Sequence, residues 1–149
     1  MRIWISNRQR KVTINPEKIR KKTGKILNAL GWSKAELSLT LLSDRPMARL
    51  NRQTFQRLGP TNVIAFPFHP EPVPDGPPPL LGEVVISLET CARQAGELGW
   101  PLEELFDFFL IHGILHLLDY DHDTPEQEAR MEAKSRELLH LLHPGITDI

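Results

Sequence analysis

The sequence predicts a single α+β domain of four short strands and five helices, and three observations carry that prediction. Apolar stretches of strand length recur over residues 2–6, 36–42, 61–66 and 81–87. Longer segments with helical start and stop signals run between and after them. No internal repeat and no separating linker interrupts the 149 residues, and a 40% hydrophobic content suffices for one core.

The elements follow in order. Residues 2–6 alternate as a first strand. Asn15-Pro16 opens a helix, with Pro at the favoured first position, and Gly31 ends it after about Leu30. Glu36–Leu42 alternates as a second strand. Ser43 or Asp44 caps a short helix through about Phe55, with Pro46 in its first turn. Thr61–Phe66 reads as a third strand. Residues 67–79 hold seven prolines and form a loop, one placed to cover a site. Leu81–Ser87 is the fourth strand. Leu88 to about Leu98 is helical and stops near Gly99. Pro101–Leu118 is apolar almost all round, the mark of a helix buried in the core. Thr124-Pro125-Glu126-Gln127 starts a last helix, which carries Met131, Leu138, Leu139 and Leu142 and ends before Pro144.

The buried helix carries the chemistry: His112-Gly113-Ile114-Leu115-His116-Leu117-Leu118-Asp119-Tyr120-Asp121-His122. His112 and His116 lie four apart, so a helix sets both rings on one face. A straight helix would carry His122 roughly 9 Å further along the axis and round to another side. The chain must therefore turn after Leu118, and Asp119-Tyr120-Asp121 suits a turn because Asp tolerates positive φ. A lone histidine on an apolar helix is ordinarily a hydrogen-bonded core residue. Three at this spacing instead describe an open metal site, three neutral nitrogens leaving a position for water, as in catalytic zinc centres. Copper, nickel and iron also accept imidazole. A closed structural site would want a fourth ligand. Cys91, the only cysteine, has no thiol partner, which leaves Asp121 or Asp123 for that role.

Composition bounds the rest. One cysteine excludes an internal disulfide and fits a reducing compartment. No apolar run reaches the length of a membrane span, and Arg2-Ile3-Trp4-Ile5 reads as a strand rather than a leader. A cytoplasmic protein without a membrane partner is the expectation. The net charge of −1 conceals a division: residues 1–57 hold 14 Lys/Arg and 3 Asp/Glu, residues 58–149 hold 4 and 16. The basic half, with Arg8, Arg10, Lys11, Lys18, Lys22, Arg49, Arg52 and Arg57 among its cations, suits an anionic partner such as a nucleic acid. Alternatively, the two halves neutralise each other in the folded molecule.

Residues 112–122 resemble the YbeY family of bacterial zinc-dependent endoribonucleases, whose motif is His-Gly-x-Leu-His-Leu-x-Gly-Tyr-Asp-His. Leu50-Asn51, Pro60–Pro67, Leu81–Ser87, Gln94-Ala95 and Met131 resemble further blocks of that family in order, so the likeness covers nearly the whole chain. It implies a four-stranded mixed sheet of zincin-like architecture, one Zn2+ held by His112, His116 and His122, and cleavage of single-stranded RNA. It implies small-subunit ribosomal RNA maturation, ribosome quality control and association with the ribosome.

Three positions depart from the pattern. Asp119 stands where the family usually has Gly, so it either adopts the left-handed turn or points inward and alters the site. Ala65 replaces a Ser. Phe55 falls at the position of the family's arginine, and Arg57 is the expected substitute for holding a phosphate and offsetting transition-state charge. Asp121 and Glu83 are candidates for orienting a ligand imidazole, against plain roles as surface or capping carboxylates. His69, His140 and His143 read as loop or surface residues. Gly113 stands where helical zinc proteases carry a glutamate base, which weighs against a peptide hydrolase. Besides the ribonuclease reading stand two others: a metallohydrolase of another substrate, and a ribosome assembly factor with structural zinc. The nucleophile, water or a ribose 2′-oxygen, stays open.

Overall fold

The computed structural model describes residues 2–71 and 73–146; Pro72, within the proline loop, and both chain ends lie outside the described residues. In order run β1 (Ile3–Asn7), α1 (Pro16–Ala29), β2 (Glu36–Leu42), α2 (Asp44–Phe55), β3 (Val63–Pro67), β4 (Leu80–Ser87), α3 (Leu88–Leu98), α4 (Leu102–Leu117) and α5 (Pro125–Leu142). The strands form one sheet in the order β1-β2-β4-β3. β1, β2 and β4 are parallel, and β3 runs antiparallel to β4. This is the four-stranded mixed sheet of an α+β domain with five helices among the described residues, as expected.

Local chemistry explains most boundaries. Asn15 Oδ1 accepts from Lys18 N and caps α1 ahead of Pro16. α5 starts on a reciprocal capping box: Thr124 Oγ1 accepts from Gln127 N, and Gln127 Oε1 accepts from Thr124 N. β3 begins at Val63 rather than Thr61, because Asn62 turns its side chain onto the Val63 N–H at 2.8 Å.

The two faces of the sheet are covered unequally. Leu37, Leu39, Leu41, Val84 and Ile86 point into a large core that α1, α3, α4 and α5 complete. On the opposite face, Leu42, Ile64 and Val85 meet Met47 of α2 in a small satellite cluster, with Leu50 and Phe66 packed against it. α4 is the centre of the large core, with Leu110, Ile111, Ile114 and Leu115 fully buried. It lies directly on the sheet at Gly113, where a Cβ would stand 2.5 Å from Val84 Cγ1 and 3.3 Å from Val63 Cγ2. A side chain at this position would force helix and sheet apart.

A polar clamp holds the start of α4. Asp107 is fully buried, and its Oδ2 lies 2.9 Å from Lys22 Nζ on α1 and 2.6 Å from His143 Nε2 beyond α5. Glu103 receives Lys18 and Lys22 at 2.7 and 2.6 Å. These pairings keep a carboxylate tolerable inside the core. They correct the reading of His143 as a surface residue: its partner lies 36 positions away.

Candidate active site

The site grows from the end of α4. Leu118 caps the helix, Asp119 follows at φ +66°, and the chain reverses. Asp119 N donates to His116 O at 3.1 Å and Tyr120 N to Leu115 O at 3.0 Å. This is a Schellman ending, with Asp at the left-handed position that glycine usually fills. Of the two expectations for Asp119, the left-handed turn is realised. Its carboxylate meets His69 Nε2 at 2.7 Å, tying the turn to the proline loop. His69 therefore has a specific partner, which its place in the loop did not reveal.

The reversal brings His122 back beside His116. Their ring centroids lie 5.5 Å apart at 73°. Two imidazoles on one tetrahedral zinc, with Zn–N near 2 Å, have centroids roughly 5 Å apart, so this pair has the spacing of two ligands. Both rings line an open cleft of about 520 Å³ with Asp119, Tyr120 and Asp121. The end of α2, the segment after it and β3 supply Asn51, Phe55, Arg57, Thr61, Val63 and Ala65 to the same cleft.

His112 stands apart. Its ring lies 4.3 Å from that of Phe108, and it lines a smaller cavity of about 250 Å³ between α4 and α5, with Trp100, Glu132 and Ser135. Burial, then the charges of His116 and His122, push its pKa down to about 4. Burial and the neighbouring His122 also lower that of His116. Both are therefore neutral imidazoles at pH 7, the form that lends a lone pair to a cation. Among the described residues, no three His, Cys, Asp or Glu side chains stand assembled around one ion position. The donor chemistry fits a metal, and the spacing of one pair fits it; His112 lies one turn before His116 on α4.

The carboxylates resolve differently. Asp121 accepts from His122 N at 2.8 Å, which heads the causes holding its pKa below the usual carboxylate range. It thus fixes the loop that carries His122. Asp123 N donates to Gln127 at the start of α5. Glu83 accepts from Thr40 Oγ1 at 2.7 Å and alternates with Val84, the residue under α4. It therefore points to the other face of the sheet, away from the imidazoles. Cys91 is buried, and its thiol is pushed up to about 12, which leaves it inert as a nucleophile.

Within the blocks around residues 50–67 and 94, Asn51, Asn62 and Gln94 act as scaffolding. Asn51 Nδ2 donates to Gly59 O at 3.0 Å, folding the segment after α2 back onto the helix. Asn62 Nδ2 reaches Gln94 Oε1 at 3.2 Å, and Ser87 N donates to Asn62 O at 2.9 Å. These bonds hold the Arg57 wall of the cleft against β4 and α3. Part of the basic half is neutralised by the acidic half, through Lys11–Glu89, Lys18–Glu103 and Lys22–Asp107. Arg45, Arg49, Arg52 and Arg57 remain exposed at α2 and just beyond it.

Fold and site together define an α+β enzyme domain with an open, imidazole-lined cleft. The profile described as Endoribonuclease YbeY matches residues 4–143. The chain belongs to this family and is a nuclease, a hydrolase of phosphodiester bonds. It is 42% identical over 147 residues to the Endoribonuclease YbeY of Geobacter sulfurreducens, spanning 97% of this chain and 98% of that one. It is 44% identical over 139 residues to that of Syntrophotalea carbinolica, spanning 92% and 93%. The solution structure of TM1509 from Thermotoga maritima superposes with a TM-score of 0.67 at 25% identity, spanning 93% of this chain and 87% of that one.

Proposed function

We propose that the chain acts as one zinc-dependent endoribonuclease domain, cutting single-stranded RNA in the maturation and quality control of the small ribosomal subunit. In this reading it works beside the ribosome in the cytoplasm. The observation that carries it is the His116–His122 pair at 5.5 Å, in the cleft that Arg57 also lines. His116 and His122 would be the first two ligands, and His112, a neutral imidazole one turn back on α4, would be the third. Bound there, zinc supplies a Lewis acid that lowers the pKa of a water towards neutrality.

The chain's own residues do the rest. The Schellman turn at Asp119 and the Asp121 carboxylate hold His122 in position. Arg57 offers a planar, permanently charged fork to the scissile phosphate and to the charge that grows on it. Gly113 supplies no proton-transfer group, and Val84 leaves no room for one, which weighs against peptide hydrolysis.

The test is paired. Purified protein is assayed for bound metal and incubated with single-stranded RNA, duplex RNA and an unfolded protein. Zinc near one per chain and cleavage of the single strand alone are expected. His116→Ala should lower cleavage by more than about 100-fold, since even the outer partners of a ligand cost 10–100-fold. Arg57→Ala should lower it as well; unchanged cleavage removes Arg57 from the mechanism. Zinc without cleavage would turn the reading towards an assembly factor. Chemical identification of the new RNA ends separates water from a 2′-oxygen as nucleophile.

A further inference from the structure

Phe55 lies at the end of α2 with 46% of its surface exposed, although it lines the same cleft as Arg57, His116 and His122. Neither apolar cluster of the molecule claims it: the satellite core beneath α2 closes on Leu42, Met47, Ile64 and Val85 without it. The ring is nevertheless carried on a fixed backbone. Gln56 ends α2 in the left-handed conformation with its N–H on Arg52 O at 2.9 Å, and the Asn51–Gly59 bond holds the chain beyond. An aromatic face held by these backbone bonds and left half open to a polar cleft suits a flat ligand.

The residues leading to it add a second observation. Arg45, Arg49 and Arg52 are exposed and spaced four and three apart, one stripe along α2. Phe55 follows three positions later, on the same side of the helix. A cationic stripe ending in an exposed ring is the arrangement that binds single strands, with cations along the phosphates and a base on the ring.

We propose that Phe55 is the platform on which a base beside the scissile phosphate stacks, with Arg45, Arg49 and Arg52 tracking the backbone that leads into the cleft. This rests on the ribonuclease reading of the site. Stacking needs an unpaired base but reads no base edge, so the platform selects single strands and tolerates sequence.

The experiment uses oligoribonucleotides with 2-aminopurine placed at each position in turn, mixed with the full chain and read before turnover. One position should be quenched on binding. Phe55→Ala and Phe55→Leu should abolish that quenching and weaken binding about tenfold, as loss of one base–aromatic stack does; Phe55→Trp should retain both. RNA lacking the base at that position should bind the parent chain about as weakly as Phe55→Ala binds intact RNA, and Phe55→Ala should lose nothing further. Arg45→Gln with Arg49→Gln should flatten the salt dependence of binding and leave the quenching in place. Quenching that survives in Phe55→Ala, or an abasic penalty equal in parent and variant, overturns the proposal. A parent chain that binds RNA without cutting it defeats the ribonuclease reading instead, and the quenching still decides the stack.

Discussion

The α4 side of the cleft is secured by packing, whereas the side formed by the end of α2 and the segment into β3 is held by a few polar bonds. On the first, Ile111, Ile114 and Leu115 are fully buried, and Gly113 seats the helix on Val84. On the second, Asn51, Asn62 and Gln94 bridge backbone and side chains over a small apolar cluster, and Phe55 and Arg57 remain open to solvent. The contrast separates tasks. In the proposed reading, imidazoles that meet one ion need positions good to a fraction of an ångström, which a close-packed helix provides. In the same reading, the groups that grip a flexible single strand tolerate a looser mount. Of the three positions that depart from the resembled pattern, Phe55 lies on the looser side, Asp119 in the turn after α4, and Ala65 on β3 against the large core.

The largest expected effect breaks the packed side. Gly113→Ala should cost about 1–3 kcal/mol, the usual penalty of overpacking, read as a lower urea midpoint. Val84→Ala in the same chain should recover part of that loss; no recovery would mean that the Val84 contact is not what seats α4. Asn51→Ala tests the other side. Loss of the bond to Gly59 should cost about 1 kcal/mol and act on RNA affinity more than on the histidine pair.

A smaller effect lies in the clamp at the start of α4. The lysines at positions 18 and 22 hold the Glu103 carboxyl down to about 2 against its ordinary 4.5. A depressed folded-state pKa contributes stability that is present above about pH 4.5 and fades as pH falls towards 2. Glu103→Gln should therefore lower the urea midpoint slightly at pH 7, by a difference that shrinks away as pH falls through 2. A difference that persists at acid pH would mean that packing, not charge, sets the role of Glu103. The smallest effect belongs to Asp119→Gly, which relieves a left-handed residue and gives up an exposed contact with His69, for a net change within about 0.5 kcal/mol. Asp119→Val should cost about 1–2 kcal/mol at the same position.

The sequence by itself determined what is settled within a turn or a strand. Asn15-Pro16 and Thr124-Pro125 mark helix starts because capping closes over three residues. The apolar wrap of 101–118 marks a central helix, and the spacing of His116, Asp119 and His122 contains the reversal. Only the tertiary structure decided which side chains meet across tens of residues. His143 reaches Asp107, His69 reaches Asp119, and Lys18 and Lys22 spend their charge on Glu103 rather than on a partner molecule. It turned Glu83 to the far face of the sheet, set His112 in a second cavity, and brought Phe55 and Arg57 into the cleft of His116 and His122. The physical reason is range: periodicity, caps and turn chemistry are local energies written in adjacent residues, whereas the cleft exists only where packing lays α4 and the end of α2 beside the same strand.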